Sequence, residues 1–262
     1  RTSNVNGLAL MAHHRGRAIP EVGTTRFRAP ASPVALGTLA GRETGEHFRP
    51  LRLSPMHDWH VAAGAEMVAT GQWLRPRVYP RAGESVTDAY VRETRAVREA
   101  AGMVDVSTLG KIAVVGPDAG EFLNRVYVNG FAKLPVGKAR YGVMLREDGF
   151  VFDDGTVWRL AEDRYLMTTT TANAAAVLAH LEWLLAVDFP ELRVAVTSVT
   201  DQWAGFAIAG PLSGRILSRL APDADLSEEG CPFMGIVRGH VAGRPVMIAR
   251  LSFSGELAYE VL

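Results

Sequence analysis

A single cysteine, Cys231, stands in the chain, so no internal disulfide and no cysteine-only metal site can form. That suits a reducing compartment, and a cytoplasmic location is the expectation. Net charge is missing as well: 28 basic residues balance 28 acidic ones, leaving no global field to draw in nucleic acid or an anionic membrane. No run approaches the roughly 18 apolar residues that a membrane span requires. The N-terminus lacks the charged-then-apolar layout of a signal peptide. Glycine-rich phosphate loops are absent too. Neither G-x-G-x-x-G behind a strand nor G-x-x-x-x-G-K followed by Ser or Thr occurs, which excludes the usual nucleotide pyrophosphate site within these residues. No G-x-S-x-G elbow exists, since Ser254-Gly255 has no matching first glycine, and a serine hydrolase of that design is excluded with it.

What is present is the material of an ordinary globular protein. Hydrophobic residues make up 48% of the 262 and charged residues 21%, enough to bury one large core or two small ones. The chain begins at Arg1 and stops at Leu262 inside the strand-like run Tyr259-Glu260-Val261-Leu262, so both ends are expected to be cuts in a longer polypeptide. Residues 1–52 differ from the rest: eight arginines face three acids, and prolines at 20, 30, 33 and 50 break any regular period. This lead-in reads as a solvated linker or as an interface arm, with Phe27, Phe48 and the apolar stretch 34–39 in want of a packing surface.

From residue 53 onward the pattern is regular. Spacing predicts a helix over Thr87–Ala101 closed by Gly102, a strand over Lys111–Val115, and a helix after Gly116-Pro117 with proline at its first position. Strands are expected at Tyr141–Arg146, Val151–Asp153, Thr156–Leu160 and Tyr165–Thr170, with turns at Asp148-Gly149, Asp154-Gly155 and Asp163. A helix over Ala172–Val187, strands at Leu192–Val199 and Trp203–Ala209, a helix after Gly210-Pro211 and a hairpin from Gly235 to Phe253 turning at Ala242-Gly243 complete the reading. One stretch echoes another. Ala113-Val114-Val115-Gly116-Pro117 and Ala207-Ile208-Ala209-Gly210-Pro211 both end a strand in Gly-Pro before a helix, which points to two related α+β units of antiparallel sheet with packed helices.

Three clusters invite chemistry. His57 and His60 share a helical face as metal ligands would, but no third ligand has matching spacing, and packing of a short helix is the plainer reading. Asp153-Asp154 closes an apolar run before Gly155; a carboxylate there could sit beside a basic ligand nitrogen, although these residue types favour a hairpin turn. Glu256 and Glu260 lie four apart, on one face of a strand, where a carboxylate can accept two parallel N–H bonds from an amino-pyrimidine edge; an exposed polar face explains them equally well.

Taken in order, several motifs resemble the aminomethyltransferase (glycine-cleavage T-protein) family across Leu53–Leu262. They are Pro55-Met56-His57-Asp58-Trp59-His60 with Gly64, Met67-Val68 and Trp73, then Asp105-Val106-Ser107, Phe152-Asp153-Asp154, Gly210-Pro211, Pro232-Phe233-Met234, and Phe253-Ser254-Gly255-Glu256 through Glu260. Gly23-Thr24-Thr25-Arg26-Phe27-Arg28, Leu39-Ala40-Gly41-Arg42 and His47-Phe48-Arg49-Pro50 resemble the segment that precedes this domain in the α subunits of heterotetrameric sarcosine oxidases.

The resemblance implies an α+β folate-binding domain without the family's C-terminal barrel-like part. It further implies that tetrahydrofolate takes up, as 5,10-methylenetetrahydrofolate, the one-carbon unit freed when a flavin on a partner subunit oxidises sarcosine. Flavin and NAD would bind outside residues 1–262, in a hetero-oligomer. By position, Asp154 becomes the catalytic carboxylate, Glu260 the binder of the pterin edge, and Tyr165, Thr169 and Leu109 further folate-pocket residues. Two positions depart from the family: Thr169 replaces a common asparagine, and Leu109 a usual methionine. A free-standing aminomethyltransferase and a non-catalytic folate-binding or assembly domain are the alternatives.

Overall fold

The computed structural model describes residues 51–262 together with Arg15 and Gly16. The chain divides into two units, Arg1–Pro50 and Leu51–Leu262, and the elements below all belong to the second. The lead-in assigned to residues 1–52 therefore lies outside the described residues, apart from Arg15, Gly16, Leu51 and Arg52.

A small sheet comes first. β1 (Arg52–Leu53), β2 (Glu66–Thr70) and β3 (Trp73–Val78) pair in the order β1-β3-β2, and helix α1 (His57–Ala62) joins the first two. Helix α2 (Val86–Glu99) starts where the Ser85 hydroxyl accepts the Asp88 backbone N–H, satisfying one of the donors that a helix start leaves unpaired. It ends at Glu99, so Gly102 is not its cap. Gly102 opens β4 (Gly102–Asp105), where a Cβ would fall 2.4 Å from Val97 Cγ2; helix and strand approach because that side chain is missing.

Two five-stranded antiparallel sheets form the body. β5 (Gly110–Val115), β6 (Lys138–Leu145), β7 (Val151–Ala161), β8 (Arg164–Thr169) and β9 (Ala195–Ser198) pair in the order β6-β7-β8-β5-β9. β10 (Phe206–Ala209), β11 (Ile236–Val241), β12 (Arg244–Ala249) and β13 (Ala258–Val261) take β4 as a fifth strand in the order β11-β12-β13-β10-β4. The helices are α3 (Ala119–Val126), α4 (Ala174–Trp183) and α5 (Ser213–Leu220), with α3 after β5 and α5 after β10. Gly116 and Gly210 link strand to helix at positive φ, 144° and 114°. A Cβ on either would strike backbone just ahead of the edge strand, 2.1 Å from the Arg193 carbonyl oxygen and 2.6 Å from that of Ala100. The echo in the sequence is thus a structural repeat, with one rearrangement. β9 follows its own sheet in the chain, whereas β4 comes from ahead of the first sheet to close the second.

Each sheet has a helix-covered face and an inner face. Ile112, Val114, Val157, Tyr165 and Met167 pack under α3 and α4 with Phe122, Leu123, Val177 and Leu181, while Ile208, Tyr259 and Val261 pack with Leu217 of α5. Between the inner faces, Ala139, Trp158 and Leu166 of one sheet meet Met247, Ala249, Leu251 and Leu262 of the other. Burying Trp158 and its neighbours contributes about 1.5–3 kcal/mol per large side chain.

Three sequence expectations change. β7 runs unbroken through Asp154-Gly155, where a turn was expected: Gly155 passes so near β8 that a Cβ would lie 2.0 Å from the Thr168 carbonyl oxygen, so this glycine serves close strand approach. Pro117 and Pro211 stand one residue ahead of the N-caps Asp118 and Leu212, not at the first helical position. The helix expected over Ala172–Val187 is α only to Trp183; residues Leu184–Asp188 widen into a π turn that brings Leu184, Leu185 and Phe189 against the core.

Candidate functional site

Side chains alternate across a strand, so parity decides what each acidic residue can reach. On β7, Val157 faces the helices and Trp158 the other sheet; Asp154 and Thr156 share the Trp158 side. On β13, Val261 packs with α5 and Leu262 beyond it with the inner cluster, which turns Glu260 inward. Asp154 and Glu260 therefore project from different sheets onto the two faces that meet each other. Between them the first sheet presents Thr156, Thr168 and Lys111 in one cross-strand row, with the two threonine hydroxyls 3.1 Å apart and Lys111 paired in register with Thr168.

Glu260 lies in a cleft of about 590 Å³, within the range of ordinary small-molecule sites. Its floor is small and flat: Gly102, Ala207, Ala209 and Ala258 lie in two cross-strand rows of the second sheet. Tyr90, Thr94, Val97 and Arg98 of α2 form one wall; Phe253, Ser254 and Glu256 form another, and Val106 and Leu109 close the side toward β5. Glu256 is charge-paired, with Oε1 2.8 Å from Arg98 Nε, although neither of its buried oxygens completes a well-aligned hydrogen bond among the described residues; its carboxyl lies below the usual range, with Ser254 the main cause and Arg98 a lesser one. Glu260 differs. Burial pushes its acid up, the Lys111 charge pulls it back, and no hydrogen bond contributes. Among the described residues its carboxylate has no hydrogen-bond partner, so it is ready to accept N–H donors from a ligand.

The aspartate pair divides its labour. Asp153 is buried and accepts from the Thr170 hydroxyl (2.6 Å) and amide (3.1 Å) just ahead of α4, with Asn173 Nδ2 at 3.5 Å; burial raises its acid against those bonds. Asp154 is half-buried, does not line the Glu260 cleft, and among the described residues accepts one hydrogen bond, from Tyr141 Oη at 2.6 Å, which leaves carboxylate lone pairs free.

Of the other residues carried over from the family, Leu109 lines the cleft. Tyr165 and Thr169 do not. β8 turns both toward the helices: Tyr165 is buried with the Arg159 guanidinium 5.4 Å over its ring, and Thr169 Oγ1 donates to the Thr170 carbonyl. The physical reason is strand parity, since 165 and 169 have the phase of Met167, a core residue. His60, weighed as a metal ligand, commits its ring nitrogens to Tyr79 Oη (2.7 Å) and Asp105 Oδ2 (3.0 Å).

Two residues escaped the sequence reading. Lys111 is fully buried and donates to the carbonyls of Val106, Ser107 and Leu109. Its only signal was a lysine heading a β-branched strand. Asp105 stood in a quoted motif, yet nothing in sequence linked it to Ser54 and His60.

An α+β domain of two repeated antiparallel units with packed helices is the architecture of an aminomethyltransferase-type domain. The crystal structure of glycine cleavage system aminomethyltransferase T from Bartonella henselae matches 80% of this chain and 53% of its own, with a TM-score of 0.67 and 29% identity. The chain belongs to the GCVT N-terminal domain family, whose model matches residues 56–262. Residues 1–42 match the sarcosine oxidase A3 domain. Over its whole length the chain is 52% identical to "Sarcosine oxidase subunit alpha" of Rhizobium meliloti (strain 1021) and 50% identical to that of Corynebacterium sp. (strain U-96). It spans 27% of the length of each. Among the described residues no helix is long and apolar enough to cross a membrane.

Proposed function

We propose that this chain is the tetrahydrofolate-binding part of a sarcosine oxidase α subunit. In this reading a flavin on a partner subunit of a cytoplasmic hetero-oligomer oxidises sarcosine, and the one-carbon unit leaves as 5,10-methylenetetrahydrofolate. NAD would lie elsewhere in the assembly. The match of residues 1–42 to the sarcosine oxidase A3 domain favours this over a free-standing aminomethyltransferase.

The residues present fit a reduced pterin. A flat floor of glycine and alanine suits a planar ring, and Glu260 offers two acceptor oxygens to the paired N–H groups of an amino-pyrimidine edge. When bound, tetrahydrofolate supplies secondary amine nitrogens able to take up carbon at the oxidation level of formaldehyde. The protein's own tasks are narrower. Glu260 binds and orients, and Leu109 and Val106 exclude water from one side; Asp154, on the facing sheet and steadied by Tyr141, is the carboxylate that would accept a proton from the amine once a ligand bridges the two sheets.

The observation that carries the reading is the Glu260 carboxylate, inside an apolar cleft and without a hydrogen-bond partner among the described residues. The test is calorimetric titration of the complete protein with tetrahydrofolate. Glu260→Gln should weaken binding about 10- to 100-fold, the equivalent of one charge-assisted hydrogen bond. Asp154→Asn should bind within a few-fold of the native protein, while the yield of 5,10-methylenetetrahydrofolate falls by about 100-fold. If both variants bind and transfer as the native protein does, the site assignment is wrong.

A further inference from the structure

A buried lysine bonded only to neutral oxygens is an expensive clip, because its charge stays uncompensated. Lys111 is such a residue: it is 1% exposed, and its ammonium spends three N–H bonds on the carbonyls of Val106 (3.3 Å), Ser107 (3.1 Å) and Leu109 (3.1 Å). Three negative charges act on it from the elements around it: Glu260 of β13, Asp105 of β4 and Asp201 of the short turn before β10. Two are committed elsewhere. Asp105 accepts from Ser54, His60 and the Ser107 amide, and Asp201 pairs with Arg52 at 2.6 Å. Glu260 alone has no other partner among the described residues, and strand phase turns it and Lys111 onto the inner faces of the two sheets, where each feels the other's charge.

We propose that Lys111 is a positioning residue for the cleft: its charge keeps Glu260 ionised, and its N–H bonds fix the turn that presents Val106 and Leu109. The inference deepens the folate reading and rests on it. Burial pushes the ammonium down to about 8 and the Glu260 acid up, and each charge opposes the other's shift. Without Lys111 the upward push of burial on the Glu260 acid is unopposed, which favours the protonated form, and a protonated acid no longer offers both oxygens to paired N–H donors.

Lys111→Met, Glu260→Gln and the double variant, made in the complete protein, test this. Lys111→Met should bind tetrahydrofolate about tenfold more weakly on the acid side of the profile, with the loss shrinking as pH rises and Glu260 ionises, whereas native affinity changes less over the same range. Thermal unfolding supplies a readout free of folate. A carboxyl whose folded pKa is raised stabilises fully below its unfolded pKa and loses that contribution as pH rises through the folded value. The Lys111→Met deficit should therefore grow as pH rises above the ordinary carboxylate pKa, and adding Glu260→Gln should abolish that growth. A deficit that is flat with pH and unchanged in the double variant makes Lys111 a turn clip only, and overturns the inference. So does a Lys111→Met affinity loss that is flat with pH, even if Glu260→Gln weakens binding. A native protein that does not bind tetrahydrofolate sinks the folate reading instead, and the unfolding profile still decides whether the two charges are coupled.

Discussion

Asp105 is held by three donors: Ser54 Oγ at 2.6 Å, His60 Nε2 at 3.0 Å and the Ser107 amide at 2.9 Å. Burial by itself would raise its acid, but the bonds from Ser107, Ser54 and His60 outweigh it and keep the carboxyl below the usual range. A depressed folded pKa means that the stabilisation is complete above the ordinary carboxylate pKa and is lost as pH falls through the folded value. Asp105→Asn should accordingly cost about 2–3 kcal/mol at pH 7, with the gap to the native protein closing below about pH 3, as measured by urea denaturation across pH. A gap that stays constant over that range would assign the cost to packing. The same residue shows where sequence reading stops. Asp105-Val106-Ser107 was visible as a motif, but its donors sit 51 and 45 residues away, and no local period connects them. The inward phase of Glu260 was legible because it needs only one strand. Tyr165 and Thr169 were carried over by position, and a shift of one residue in strand phase separates the cleft from the core.

Elements repeat the lesson at a larger size. The two Gly-Pro corners were readable from sequence, since each couples a β-branched or apolar strand to an amphipathic helix. Their reason was not: both glycines are needed by a backbone that arrives later in one unit and earlier in the other, at Arg193 and at Ala100. Gly116→Ala and Gly210→Ala should each cost about 2 kcal/mol or more, from positive φ combined with a close carbonyl, and equilibrium unfolding in urea measures both. Equal losses at the two sites would reflect the repeat; a neutral Gly210→Ala would show that α2 and β4 yield easily. Gly155 misled for a related reason. Asp-Gly is a strong turn signal, but here the missing side chain admits a neighbouring strand, and only the sheet's register reveals which use applies.

At the scale of the whole unit, the inner cluster around Trp158 and Leu262 joins sheets that lie apart in sequence, and β4 belongs to the second sheet although the chain enters the first directly after it. Residues 51–262 should therefore melt in one transition, with calorimetric and van't Hoff enthalpies in agreement for this region. Two resolved steps, one per sheet, would contradict that coupling. The borrowed edge strand also carries a cost in time. As the polypeptide leaves the ribosome, α2 and β4 emerge before any strand they will pair with in the second sheet. The first sheet can be completed meanwhile, and the backbone N–H and carbonyl groups of β4 wait unpaired in the growing chain until β10 arrives. Aggregation of nascent chains should concentrate in that interval of synthesis.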